Sequence, residues 1–200
     1  MHPVSFRRCL LVACLLSSGS AAVACLWDYD TRAMEEQQFP RTLELITGGF
    51  LRHSPEFYEW RIKQRLAEIE QHPDKLELYD DLAVAYEKTG NTPKAISITE
   101  ELELRDPDRY ETLANLGTFY IHNGEFERGL ESIDKALEIN PDAHFGRERY
   151  QKYVVEYLLS KREGDTTKLP LDESDRQISK SFGFTKFLLE RLELTTDEEK

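Results

Sequence analysis

The sequence lacks the short motifs by which many enzymes are identified. It contains no glycine-rich phosphate loop and no nucleophile elbow, and it has only three cysteines. The histidines at positions 53, 72, 122 and 144 do not have the spacing of zinc ligands on a helix, which lie four apart beside a glutamate. We therefore expect no catalytic site, no metal site and no cofactor.

Basic residues are few, and long apolar runs are missing beyond residue 24. The chain has 26 lysines and arginines against 38 aspartates and glutamates, a net charge of −12. Nucleic acid requires clustered positive charge, so we do not expect it as a partner. A membrane-spanning helix needs about 20 successive apolar residues, and residues 25–200 contain no such run.

The first 24 residues have the layout of a secretory signal peptide. Arg7 and Arg8 give a basic start, residues 9–16 are a short apolar run, and residues 17–24 are mostly small. We expect this segment to be removed and the protein to be exported, to the periplasm or the cell envelope.

Cys25 is the only thiol left after that cleavage, because Cys9 and Cys14 lie inside the signal. The preceding Ala22-Val23-Ala24 resembles a bacterial lipobox, which implies a lipid on Cys25 and a membrane tether. The same residues also suit an ordinary signal-peptidase site, which would leave Cys25 free or paired between molecules. Both interpretations remain open at this point.

Residues 76–109 and 110–143 align with each other without a gap. Small, aromatic, glycine and proline residues recur at a spacing of 34: Ala83 with Gly117, Tyr86 with Tyr120, Gly90 with Gly124, Ala95 with Gly129, and Pro107 with Pro141. This pattern resembles the tetratricopeptide (TPR) repeat. The resemblance implies two helical hairpins that stack side by side in an all-α solenoid.

Local signals within each repeat predict where its helices begin and end. Gly90 and Gly124 should end the first helices by adopting a left-handed conformation. Thr92 should cap the next helix, with Pro93 in its first turn. Pro107 and Pro141 should follow the ends of the second helices.

The segments beside the two repeats should supply further helices, because two repeats rarely close a core alone. The spacing of residues 57–71 predicts a helix whose apolar face is Tyr58, Ile62, Leu66 and Ile69. Residues 144–161 predict an incomplete third repeat. It should pack on the second repeat through Val154 and through its aromatic residues, which include Phe145, Tyr150 and Tyr157. The domain prediction is as follows: 1–24 signal peptide, 25–55 N-terminal segment and loop, 56–163 repeat domain, 164–175 linker, 176–200 C-terminal helix and tail.

The segment 25–31 carries two aspartates, Asp28 and Asp30, beside Trp27 and Tyr29. Paired carboxylates suit a hard cation, but Asp30 or Thr31 can equally cap a helix. The segment also resembles the start of exported bacterial TPR proteins with no assigned activity. A hydrolase or metal enzyme that uses Asp28, Asp30 or His53 is the least favoured of our functional hypotheses.

The TPR resemblance implies a concave inner face that binds a peptide or protein. Carried over position by position, its lining consists of Asp80, Val84, Glu87 and Lys88 from the first repeat, Ala114, Thr118, Ile121 and His122 from the second, and Glu148, Lys152 and Val155 from the third. Lysines and asparagines that hold a C-terminal carboxylate in some TPR proteins are replaced here. The sequence thus favours an exported TPR scaffold that binds a protein or peptide, and the alternative is a lipid-anchored envelope assembly factor tethered through Cys25.

Overall fold

The computed structural model describes residue 28 and residues 53–142, 147–164, 166–167 and 183–192. These residues form an all-α array of hairpins, as the sequence predicts. The helices are α1 Pro55–Gln71, α2 Leu76–Lys88, α3 Thr92–Arg105, α4 Tyr110–His122, α5 Phe126–Ile139, α6 Arg147–Ser160 and α7 Gly183–Arg191, and two short strands, β1 Arg162–Glu163 and β2 Thr166–Thr167, lie between α6 and α7.

The two predicted repeats form two hairpins of the same dimensions. Helices α2 and α4 have 13 residues each, and α3 and α5 have 14 each. Each helix packs on the next along the chain from α1 to α5, and α2 also contacts α4. The first helices of the two repeats therefore lie side by side, as in a solenoid.

The turns inside both hairpins are built in the same way. Gly90 and Gly124 have φ of 82° and 83°, as predicted, a conformation that is strained for residues with a side chain. The residue after each glycine donates its backbone N–H to a tyrosine carbonyl five residues earlier, Asn91 to Tyr86 at 2.9 Å and Glu125 to Tyr120 at 2.8 Å. This bond closes the last turn of the first helix.

The predicted cap of α3 is wrong by one residue. Asn91 precedes the helix, and its side-chain Oδ1 accepts the backbone N–H of Lys94 at 3.3 Å. Thr92 and Pro93 are the first helical residues, where the missing N–H of proline costs nothing. Both Asn and Thr are good caps, so the local sequence does not choose between them.

The core lies between the two hairpins. Its buried cluster takes Leu82, Ala83 and Val84 from α2, Ala95, Ile96 and Ile98 from α3, and Leu116, Phe119 and Tyr120 from α4. Each large apolar side chain in such a core contributes roughly 1.5–3 kcal/mol relative to an exposed position. The two hairpins therefore share one continuous apolar core.

Helices α4 and α5 approach each other through two glycines. A Cβ atom added to Gly117 would lie 3.0 Å from the carbonyl oxygen of Gly129, and one added to Gly129 would lie 2.9 Å from the carbonyl oxygen of Gly117. Two helices can come this close only where side chains are absent. In the first repeat, Ala83 and Ala95 occupy the same positions.

Helix α1 buries three of the four predicted apolar residues and adds two arginines to the buried face. Tyr58 is buried and Ile62 and Ile69 pack on the core, but Leu66 is exposed. The guanidinium groups of Arg61 and Arg65 are buried instead, with Arg65 Nη2 2.7 Å and Arg61 Nη2 3.6 Å from Asp81 Oδ2. The prediction for Leu66 is wrong because a buried ion pair cannot be recognised from apolar periodicity.

Helix α6 also departs from its predicted packing. Val155 and Tyr157 are buried, whereas Tyr150 and Val154 are exposed and do not pack on the second repeat. Phe145 lies outside the described residues. The prediction for Tyr150 and Val154 is wrong, because α6 turns its polar residues Glu148, Gln151 and Lys152 toward the second repeat.

The chain after α6 forms a small feature that the sequence did not indicate. Arg162 pairs with Thr167 and Glu163 with Thr166 in an antiparallel ladder, and Gly164 in the turn has φ of 66°. Helix α7 then packs on the last turn of α6, with the rings of Phe184 and Phe187 within 5.3 and 5.4 Å of the Tyr157 ring.

Candidate partner-binding surface

The TPR resemblance assigns the inner face of the array to the first helices α2, α4 and α6. Of the α2 residues predicted to line it, Asp80 and Val84 are buried. Val84 belongs to the core cluster between the repeats. Glu87 and Lys88, one turn further on, are half-buried and lie closer to solvent.

The predicted residues of α4 also become more exposed toward the C-terminal end of their helix. Ala114 and Thr118 are buried, Ile121 is half-buried, and His122 is exposed. Ile121 contacts α5, because a Cβ atom at Gly129 would lie 2.6 Å from its Cγ1. The accessible part of the predicted surface is therefore concentrated at the C-terminal ends of α2 and α4.

The predicted residues of α6 divide between the interior and a contact with α5. Glu148 and Val155 are buried, and Lys152 forms an ion pair with Asp134 of α5. Lys152 therefore points toward the second helix of the preceding repeat.

Glu87 and His122 join the two repeats at the accessible end. The Oε1 atom of Glu87 lies 2.5 Å from Nδ1 of His122. The other carboxylate oxygen of Glu87 is buried and has no hydrogen-bond partner in the described structure. We call Glu87, Lys88 and His122 the inner rim, which offers a cation and an imidazole to a bound chain.

A second polar contact between α2 and α4 lies deeper. Arg109 Nη1 lies 3.0 Å from Asp80 Oδ2, and Thr112 Oγ1 donates to Asp80 Oδ1 at 3.3 Å. Burial raises the pKa of Asp80 to about 7, although the Arg109 guanidinium acts in the opposite direction. The sequence placed Asp80 on a binding face, and the structure uses it to connect two repeats.

Buried hydrogen bonds also fix α6 against α4. The hydroxyl of Tyr110 donates to Glu148 Oε1 at 2.7 Å, and Gln151 Nε2 donates to Thr118 Oγ1 at 3.2 Å. Residues of these types are common on exposed helix faces, so these hydrogen bonds could not be predicted from the sequence. Their separations in the sequence, 38 and 33 residues, are close to one repeat.

The residues considered for chemistry are dispersed or lie outside the described part of the chain. Asp28 is buried, and the His53 ring stacks on Phe57 with the centroids 3.8 Å apart. Cys25 and Asp30 are outside the described residues. Within those residues, no three His, Cys, Asp or Glu side chains gather as a metal site, and no helix combines the length and the apolar character needed to cross a bilayer.

Comparison with known proteins identifies the second hairpin. The family profile of the tetratricopeptide repeat matches residues 110–143, the boundaries inferred from the internal alignment. Among curated relatives, Photosystem I assembly protein Ycf3 of Synechococcus sp. strain CC9605 is 45% identical over 56 residues, 26% of this chain and 32% of the relative. The protein of the same name from Prochlorococcus marinus subsp. pastoris is 34% identical over 80 residues, 38% of this chain and 46% of the relative. The chain thus spans less than half the length of these relatives.

Proposed function

We propose that the chain, which is a tetratricopeptide-repeat protein, is a non-catalytic scaffold that holds a protein or peptide segment on the inner rim of its first helices. The observation that carries the proposal is the contact between α2 and α4, which places Glu87 beside His122 at the C-terminal ends of the two helices. Stacked helical repeats use such surfaces to bind extended or helical segments.

The chemistry of the inner rim suits a polar segment. The Oε1 atom of Glu87 holds the His122 ring at the C-terminal end of α4. Lys88 would donate hydrogen bonds to carbonyl or carboxylate oxygens of the bound chain, and His122 would offer its second ring nitrogen. The buried positions Val84 and Thr118 maintain the spacing of the helices and do not contact the partner.

Site-specific crosslinking tests this surface. A photoreactive residue at position 122 should capture a partner from the native compartment, and one at position 94 should not, because Lys94 is exposed on a second helix. A purified segment of that partner should then bind the Lys88→Glu, His122→Ala variant at least tenfold more weakly than the wild type. The Lys94→Glu variant is the control, and equal binding by all three proteins would count against the inner rim.

The second candidate is an assembly factor tethered to the cell envelope through a lipid on Cys25. It is motivated by Ala22-Val23-Ala24 before that cysteine, and by relatives whose name assigns them to photosystem I assembly. In this proposal the chain is exported and positions a membrane complex during its assembly. Mass spectrometry of the mature N-terminus decides, since an unmodified Cys25 would eliminate the tether.

Export itself is tested separately. Replacing Arg7 and Arg8 by glutamate should retain the protein in the cytoplasm, because the basic start of a signal peptide would be lost. Cell fractionation of the wild type and this variant measures the effect, and an identical distribution would contradict export.

A further inference from the structure

Helix α6 runs past the point where the first helices of the two repeats end. Helices α2 and α4 stop before Gly90 and Gly124, which have positive φ. The residue 34 positions after Gly124 is Leu158, and a leucine does not readily adopt that conformation. Helix α6 therefore continues to Ser160, so its last turn lies beyond the point in the repeat at which α4 gives way to a hairpin turn.

Helix α7 packs on this last turn through one face. Its residues Phe184, Phe187 and Arg191 have the i, i+3, i+7 spacing of a single helix face. The rings of the two phenylalanines lie 5.3 and 5.4 Å from the ring of Tyr157, which is 5% exposed. Arg191 Nη2 lies 3.0 Å from Glu156 Oε2, and its guanidinium lies over the Phe187 ring at 5.4 Å. We call Glu156 and Tyr157 the α6 end, which binds two aromatic rings and one cation.

Helix α7 is held less firmly than the helices of the repeats. Each helix from α1 to α5 has several buried residues, whereas none of the nine residues of α7 is buried. An isolated helix shorter than about 12–15 residues is marginal in water. Helix α7 is therefore stable only while it is docked, and a helix that competes for the α6 end can shift that equilibrium.

The α6 end continues the inner rim. Lys88, His122 and Glu156 follow one another at a spacing of 34 on the three successive first helices. Hydrogen bonds to α4 fix α6 beside it. A segment that lies along the inner rim therefore reaches Glu156 next, which is the residue that Arg191 of α7 binds. The identification of a partner at this place rests on the proposed function, whereas the docking of α7 does not.

We infer that the α6 end is a binding site for a partner helix that carries two aromatic residues three apart and an arginine four residues later, and that α7 is the resident ligand which this helix displaces. In the free protein, α7 covers Tyr157 and holds Glu156. The partner helix places its rings on Tyr157 and its guanidinium on Glu156, so it binds only when α7 leaves.

A labelled peptide of residues 183–192 is the probe, because it carries the face through which α7 packs. The full-chain variant Phe184→Ala, Phe187→Ala, Arg191→Ala, which we call the vacated variant, should leave the α6 end open. In fluorescence anisotropy, it should bind the peptide at least tenfold more tightly than the wild type, whose own α7 competes at the high effective concentration of a tethered ligand. A peptide with both phenylalanines changed to alanine should bind the vacated variant at least tenfold more weakly.

Two controls separate this site from its surroundings. The Thr185→Ala, Lys186→Ala variant changes exposed residues of α7 and should bind the peptide as the wild type does. Adding Lys88→Glu and His122→Ala to the vacated variant should leave peptide binding unchanged, so that a failure of the inner rim can be told from a failure of the α6 end. Circular dichroism should show that the repeats of all these proteins remain equally folded.

Hydrogen exchange followed by mass spectrometry measures whether α7 leaves its site. In the wild type, the amides of residues 183–192 should exchange faster than those of α4, and in the vacated variant they should exchange faster still. Exchange as slow as that of α4 would overturn the inference, because α7 would then be a permanent part of the fold. Equal peptide binding by the wild type and the vacated variant, or no binding by the vacated variant, would also overturn it. A wild-type dimer that the vacated variant disperses would overturn it in favour of exchange of α7 between two copies.

Discussion

The contact between Gly117 and Gly129 gives the sharpest test of the packing, because adding one methyl group there has two opposing effects. Alanine in place of glycine inside a helix stabilises by about 1 kcal/mol. At position 117, however, the new Cβ would lie 2.7 Å from Ile133 Cγ1, 3.0 Å from the Gly129 carbonyl oxygen and 3.2 Å from the Ile133 backbone nitrogen. The Ile133 side chain can rotate, but the two backbone atoms move only if α4 and α5 separate.

The free-energy cost of separating α4 and α5 should exceed the stabilisation that alanine gives to the helix. Overpacking of a well-packed interior costs about 1–3 kcal/mol, so Gly117→Ala should lower the free energy of unfolding by a net amount of about 1 kcal/mol. For a domain of this size, that corresponds to a fall of about 4 °C in Tm. Gly129→Ala should act alike, since its Cβ would lie 2.9 Å from the Gly117 carbonyl oxygen. The double variant should lose less than the sum, because both methyl groups widen the same gap.

Urea unfolding followed by far-UV circular dichroism measures these changes. Ser97→Ala is the control for helix propensity alone, since Ser97 is exposed on α3, and it should be neutral or slightly stabilising. If Gly117→Ala stabilises the protein as Ser97→Ala does, the close approach of α4 and α5 would be refuted.

Three further changes test the core and the buried charges. Leu116→Ala should cost about 2–5 kcal/mol in urea unfolding, because Leu116 is 6% exposed in the core between the hairpins. Asp81→Ala should cost about 3–5 kcal/mol, since it leaves Arg61 and Arg65 buried without their shared carboxylate, and a near-neutral result would contradict the pair. Burial raises the pKa of Asp80 to about 7, so its contribution to stability is present below its unfolded pKa near 4 and is lost as the pH rises through about 7. The Asp80→Asn variant should therefore become steadily more stable relative to the wild type as the pH rises from 4 to 7. A difference in unfolding free energy that stays constant over that range would contradict the raised pKa of Asp80.

Local signals explain why the repeat hairpins were predictable. A glycine with positive φ is required after α2 and after α4, and Gly90 and Gly124 stand at those points. Proline cannot continue a helix, so Pro107 and Pro141 follow the ends of α3 and α5. These effects act within a few residues, and their recurrence after 34 residues makes them specific.

The candidate surface was less predictable, because exposure depends on neighbouring helices. The repeat pattern predicted Val84, Thr118 and His122 alike as residues that line the binding face. In the structure, Val84 and Thr118 are buried and His122 is exposed. The bond between Glu87 and His122 joins residues 35 apart, and neither side chain alone indicates the other. Whether these residues bind a partner stays a prediction.

The sequence by itself determined the length of the repeat, the order of the helices and the sites where each hairpin turns, because those properties depend on backbone conformation within a few residues. Only the tertiary structure decided that Arg61 and Arg65 are buried on Asp81, and that Tyr150 and Val154 are left uncovered. A side chain is buried or exposed according to what another part of the chain places against it. That relation is set by the packing of whole helices, which no local pattern contains.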